Sequence, residues 1–297
     1  MFSKLIAFLA VLATLIAPVA RSAAAQDGAI HTVAVTESIF MLTGQGGNIG
    51  LFIGPDGTFL IDDQYAPLTD KIVAAVQAAG GEQPKFLINT HYHGDHTGGN
   101  ENLGRSGSLI FSHDNVRARL LSGSYLAAFK MQSPPTAAEG LPVVTFGEDL
   151  SFHINDETIH AIHVSSAHTD GDIFIHFQTA NVINTGDIFF NGFYPFIDVD
   201  HGGSLKGMLQ ALDRILSLVD ERTKIIPGHG PLADRAQLIS YRLMLGVAYE
   251  RLKNLRLSGK TVAQAVAAKP LADLDPDWGG GLFTGDRWVE LVYDGIY

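Results

Sequence analysis

Cysteine is absent from the 297-residue chain. That excludes disulfides, iron–sulfur clusters, thiolate zinc sites and cysteine nucleophiles. Basic residues are scarce: 20 Lys and Arg face 31 Asp and Glu, giving a formal charge of −11 at pH 7. Such a balance argues against a nucleic-acid partner and against a basic membrane-binding patch. Charged residues make up only 17% of the chain and hydrophobic ones 46%, so intrinsic disorder is excluded and the length supports a sizeable core. What the sequence does have is histidine, 12 in all, and several of these fall in places that packing does not explain.

Lys4 precedes an apolar run from Leu5 to Ala17, Pro18 breaks it, and Ala23-Ala24-Ala25 offers a small-residue cleavage site before Gln26. This is the order of a secretory signal peptide, and the run falls short of the ~20 residues that span a bilayer. The expectation is therefore a signal peptide over 1–25, one domain over 26–297, export to the periplasm and no stable membrane anchor.

Along the mature chain, strands are expected at Thr32–Val35, Ser38–Leu42, Asn48–Ile53 and Thr58–Ile61, with Gly54-Pro55-Asp56-Gly57 as a hairpin turn. Leu68, Ile72 and Val76 recur at helical spacing before Gly80-Gly81. Phe86–Asn89 is a short strand, and a strand–helix unit follows over Leu109–Leu121. Further strands are expected at Val143–Thr145, Leu150–His153, Thr158–Val164, Asp172–Phe177, Asn181–Asn184 and Lys224–Ile226. Ser204 caps a helix with an apolar face, Leu238 to Leu255 marks a long one ending at Gly259, and Thr261 with Gln264 forms a capping box. Met131–Leu141 reads as a Ser/Pro/Ala-rich loop. Two strand-rich blocks, each followed by helices, imply two packed sheets with helices outside.

His91-Tyr92-His93-Gly94-Asp95-His96 directly follows the strand Phe86–Asn89. Three imidazoles and a carboxylate in six residues are costly to bury unless something satisfies them. On a compact loop His91 and His93 aim at one metal, and Asp95 and His96 at a second beside it; imidazole and carboxylate suit zinc. His168, Asp187 and His229 each follow a short apolar run and a tight turn, and strand ends are where an open α/β sheet gathers its ligands. Together they make five histidines and two carboxylates, enough for two metals.

With these residues in this order, the sequence resembles the metallo-β-lactamase superfamily through H-x-H-x-D-H at His91–His96, then His168, Asp187 and His229. The resemblance implies an αββα sandwich of two mixed β-sheets flanked by helices, with two zinc ions at one sheet edge. It assigns His91, His93 and His168 to the first zinc and Asp95, His96 and His229 to the second, with Asp187 bridging the two or joining the second. Asp62 matches the family's Asp that orients a ligating histidine. The implied chemistry is hydrolytic: two cations lower the pKa of a shared water toward ~7, and the hydroxide attacks a carbonyl. Asp95 is the candidate to orient that nucleophile and pass a proton.

Two departures bear on the substrate, which is expected to be a small molecule. The thiolate-bearing β-lactamases have Cys at the position of Asp187 and a Lys three positions later, where this chain has Phe190. The Gly-Cys-Gly-Arg stretch of glyoxalase II is replaced by Asn191-Gly192-Phe193-Tyr194-Pro195-Phe196. Phe190, Phe193 and Tyr194 are candidates for an apolar substrate wall, whereas Asp198, Asp200 and His201 read as a solvated loop. The leading expectation is an exported zinc hydrolase acting on a β-lactam. The alternatives are a lactonase or thioesterase of the glyoxalase II kind, and a mononuclear iron enzyme resembling persulfide dioxygenase.

Overall fold

The computed structural model describes residues 28–297, so the expected signal peptide lies outside the described residues. The first half builds β1 (His31–Ala34), β2 (Ile39–Thr43), β3 (Ile49–Phe52), β4 (Phe59–Ile61), β5 (Phe86–Ile88) and β6 (Leu109–His113). Interleaved with them are α1 (Thr69–Ala78), α2 (Gly94–Thr97), α3 (Asn100–Arg105) and α4 (Asp114–Ser122). Next come β7 (Ser124–Leu126), β8 (Met131–Ser133), β9 (Val144–Phe146), β10 (Asp149–Ile154), β11 (Glu157–His163), β12 (Ile173–Phe177) and β13 (Val182–Asn184). The chain closes with α5 (Leu205–Leu216), β14 (Lys224–Ile226), α6 (Arg235–Leu257), α7 (Val262–Ala267), α8 (Asp275–Trp278) and α9 (Gly285–Val292).

One sheet runs β1-β2-β3-β4-β5-β6-β9, a second runs β10-β11-β12-β13-β14, and β7 with β8 forms a separate hairpin. Both larger sheets are mixed, with parallel pairs from β4 through β5 and β6 to β9, and between β13 and β14. Strand side chains alternate between faces, and that alternation sorts the core into layers. Phe59, Ile61, Ile88 and Phe111 pack between the sheets against Ile159, Ile175, Phe177 and Ile226. Leu60, Leu87 and Ile110 point the other way, onto Leu68, Ile72 and Val76 of the α1 region. Phe174, Ile183 and Ile225 of the second sheet face Met208, Leu212, Leu245 and Trp288 of the outer helices. The result is the expected αββα sandwich.

Local signals match the elements closely. Gly57 N–H donates to Gly54 O at 3.1 Å, closing the β3–β4 turn. Ser204 Oγ accepts from Gly207 N–H at 2.9 Å at the start of α5, and the Thr261–Gln264 capping box opens α7. The segment expected to be a plain loop, Met131–Leu141, instead begins with β8 and contains a 3₁₀ turn at Ala138–Gly140. Its strand exists only because β7 supplies a partner, a pairing no local pattern announces. Among the described residues, no helix is long and apolar enough to cross a membrane.

Candidate metal centre

All seven side chains singled out for metal meet at the carboxyl ends of the strands. His91, His93, Asp95 and His96 leave from β5, His168 from the turn after β11, Asp187 from the turn after β13, and His229 from the turn after β14. They form two clusters, His91–His93–His168–Asp187 and Asp95–His96–His229, whose ligand-type atoms in each cluster lie within 4.8 Å of one another. Asp187 joins them: Oδ2 lies 3.4 Å from His168 Nε2, and Oδ1 lies 3.0 Å from His96 Nε2 and 3.4 Å from His229 Nε2.

Second partners fix the rings of His91 and His168. Thr90 donates its N–H and its hydroxyl to Asp62, both at 2.7 Å. Its hydroxyl proton thus committed, Thr90 Oγ1 accepts from His91 Nδ1–H at 3.0 Å. His168 donates Nδ1–H to Phe196 O at 2.8 Å. His91 and His168 therefore present bare Nε2 lone pairs, 3.1 and 2.9 Å from His93 Nδ1. A cation placed among these three nitrogens would be ligated by all of them. Asp187 Oδ1 is buried between His96 Nε2 and His229 Nε2, where it offers a carboxylate oxygen to a cation at the junction of the two clusters. The donor set, imidazole nitrogen and carboxylate oxygen, fits two zinc ions.

Glycines make room for this geometry. A Cβ on Gly47 would stand 2.1 Å from His96 Cε1, and one on Gly228 would stand 2.1 Å from Asp187 Oδ1. Asn48 holds the His229 turn by donating its side-chain amide to Pro227 O and Gly230 O at 2.9 and 2.8 Å. Asp172 shapes the His168 turn, accepting the N–H groups of His168 and Thr169 at 2.6 and 2.8 Å. Neither residue stands out in the sequence, because an Asn or Asp near a turn has many ordinary uses.

Asp62, in the left-handed region at φ 64°, pairs through Oδ2 with His96 Nδ1 at 2.8 Å, the geometry expected of an orienting carboxylate. Asp198 departs from expectation. It is buried rather than solvated, and its Oδ2 accepts from Tyr92 and lies 3.0 Å from His93 Nε2. The distance in sequence, 105 residues, hid the contact.

The electrostatics of the two clusters differ. Burial holds His91 well below the usual histidine range and pulls His168 down to about 4. Burial opposes charge on His229 and His96 as well. There, however, Asp187 and Asp95 prevail, lifting His229 to about 9 and His96, with help from Asp62, well above its ordinary value. Asp95 is drawn down to about 2: burial raises it, but His96 and His229 outweigh burial.

The aromatic candidates separate. Phe190 is buried and stacks on His229 with ring centroids 5.0 Å apart. Phe193 is half-buried and meets Phe190 edge-on. Tyr194 corrects the expectation of a pocket wall. It lies fully buried, stacked on Trp288 at 5.1 Å, and its hydroxyl donates to Asp275. Phe196, which reaches the rings of His93 and His168 at 5.6 and 5.7 Å, takes the place nearer the clusters. Phe129 and Phe283 pack against it.

A probable metallo-hydrolase of Bacillus subtilis (strain 168), YqgX, is 25% identical over 199 residues, 61% of this chain and 89% of that protein. A metallo-beta-lactamase from Pontibacter korlensis superposes with TM-score 0.58 at 17% identity, covering 73% of this chain and 99% of that one. The sec-alkylsulfatase Pisa1 from Pseudomonas sp. superposes with TM-score 0.67 at 17% identity, covering 90% of this chain and 51% of that one. Residues 42–229 match the family described as the metallo-beta-lactamase superfamily. That span runs from β2 through His229, so the chain belongs to the metallo-beta-lactamase superfamily and carries a His/Asp metal-binding site of the hydrolase kind.

Proposed function

We propose that this chain is an exported binuclear zinc hydrolase that opens an amide or ester bond, with a β-lactam as the leading substrate. The observation that carries the reading is the convergence of His91, His93 and His168 on one point, with Asp187 reaching from it to the Asp95–His96–His229 cluster. When bound, two zinc ions supply Lewis acidity for the scissile carbonyl and lower the pKa of water toward ~7.

The chain's own residues do the rest. His91, His93 and His168 would hold one ion, and Asp95, His96 and His229 the other, with Asp187 shared. Asp95 retains 23% exposure and is ionised at neutral pH, so its carboxylate can accept a hydrogen bond from the attacking water and orient it. Thr90, Asp62 and Phe196 O keep the imidazoles in the tautomers that ligation requires.

One observation favours a second substrate class. Phe196, Phe129 and Phe283 form an aromatic cluster beside the first three histidines, which suits a lactone or thioester with an apolar acyl group. Phe190, at the position of the β-lactamases' lysine, gives a substrate carboxylate no cationic anchor. Purified 26–297 should hold close to two zinc ions and turn over a chromogenic cephalosporin. Full zinc loading with no turnover on any lactam removes that substrate, and turnover of acyl-lactones in its place selects the second class. Iron in natively produced protein, with oxygen consumption, would overturn the hydrolase reading.

A further inference from the structure

The segment from Phe196 to Gly203 lies across the first histidine cluster and touches two of its three rings. Phe196 O accepts from His168 Nδ1–H at 2.8 Å. Two residues on, Asp198 N–H donates to His168 O at 2.9 Å, and the Asp198 carboxylate reaches His93 Nε2 at 3.0 Å. The 3₁₀ turn Val199–His201 folds the segment back, and Gly203 N–H returns to Asp198 O at 2.8 Å. A Cβ at Gly203 would stand 2.2 Å from His168 O, so the segment and the His168 turn are in full contact.

Asp198 is only 3% exposed, and its carboxylate is crowded with donors. Oδ2 takes the Tyr92 hydroxyl and faces His93 Nε2, while His201 Nδ1 lies 2.8 Å from each carboxylate oxygen. A buried carboxylate in this position favours a proton on His93 Nε2, so that in the neutral, ligating ring the lone pair is on Nδ1, the atom that faces His91 and His168. Tyr92 sits between the two ligand-type histidines in sequence, so its anchored hydroxyl also fixes the backbone that carries them. The carboxylate at Asp62 stands in the same relation to His96 of the other cluster. Each cluster has its own carboxylate.

We propose that Asp198 is a positioning residue dedicated to the first metal site, holding His93 in the tautomer and orientation that ligate, with Tyr92 locking the carboxylate in place. The proposal rests on the reading that the two clusters hold metal. Carboxylate partners of ligating imidazoles typically contribute about 10- to 100-fold in metal affinity.

The test uses cobalt(II) and zinc on the full mature chain, with two readouts: the d–d absorption of cobalt during titration, and zinc affinity by chelator competition. His93→Ala identifies which equivalent belongs to the first site. Asp198→Asn, which keeps size and shape, should weaken that equivalent about 10- to 100-fold and alter its cobalt spectrum. The other equivalent should stay within about twofold, and the melting temperature of the metal-free protein should hold. Unchanged affinity for both equivalents overturns the proposal, and so does equal weakening of both, because a general structural defect would act on both. If Asp198→Asn does not fold, Asp198→Ser is judged by the same criteria. A wild-type chain that takes up neither metal overturns the metallo-hydrolase reading itself, a result separable from any effect of Asp198.

Discussion

Asp62 Oδ2 lies 2.8 Å from His96 Nδ1, with both side chains essentially closed to solvent. The same carboxylate takes the N–H and hydroxyl of Thr90, so one residue at the end of β4 sets the ring of His96 and the start of the histidine loop. Removing the negative charge while keeping the shape, as Asp62→Asn does, should lower zinc affinity at the second cluster about 10- to 100-fold. Chelator competition reads this directly. An unchanged affinity would show that His96 needs no orienting carboxylate.

Two glycines give a steric prediction. Gly228→Ala would press a methyl against Asp187 Oδ1 and the Gly186 backbone, and Gly47→Ala would press one onto the His96 ring. Asp187 is buried among the rings of His91, His96, His168 and His229, and His96 is paired with Asp62, so neither neighbour has room to yield. Both variants should lose most bound metal while remaining folded by circular dichroism. Gly94→Ala is the control, because a Cβ there meets nothing within 4 Å although it lies inside the histidine loop. Equal metal content in all three would refute the close packing of the site.

Much of this centre is legible in the sequence because its chemistry is concentrated. His91, His93, Asp95 and His96 fall within six residues, and His168, Asp187 and His229 each follow a strand whose apolar run is easy to see. Asp62 is legible only through resemblance. Asp198 looks like part of an acidic surface loop, and nothing local reveals that the segment folds back over His168. Tyr194 shows the converse. Its aromatic neighbours suggest a pocket wall, but Trp288, 94 positions later, claims its ring for the core. The hairpin partner of β8 and the docking of α9 are likewise long-range facts, decided by packing rather than by periodicity.

Trp288 offers a stability test of that packing. It is fully buried, stacks on Tyr194, and donates Nε1–H to Pro195 O at 2.6 Å, pinning the chain just before Phe196. Trp288→Ala should destabilise the fold by about 3–5 kcal/mol, measurable by urea unfolding. Because the anchored segment continues to Phe196 and Asp198, first-site zinc affinity should fall as well. A loss of stability with first-site affinity intact would mean that the segment keeps its place without the tryptophan.

The two clusters should answer pH differently. In the metal-free protein His168 titrates at about 4 and His91 lies well below the usual range, both through burial, so these rings are already neutral at pH 7. His229 titrates at about 9, its burial outweighed by Asp187 and Asp95. Ligation needs a neutral imidazole, so metal entering the second cluster must displace that proton. Second-site affinity should therefore fall as pH drops below about 9, by about tenfold per unit for each proton displaced. Stability of the metal-free protein runs the other way. A histidine whose folded value exceeds its unfolded value of 6.5 stabilises fully below 6.5, and that contribution is lost as pH rises through about 9. Zinc titrations and urea melts of chelator-treated protein between pH 6 and 9.5 should thus show second-site affinity rising while the His229 contribution to metal-free stability declines. A second-site affinity flat across that range would show that His229 is neutral before metal arrives.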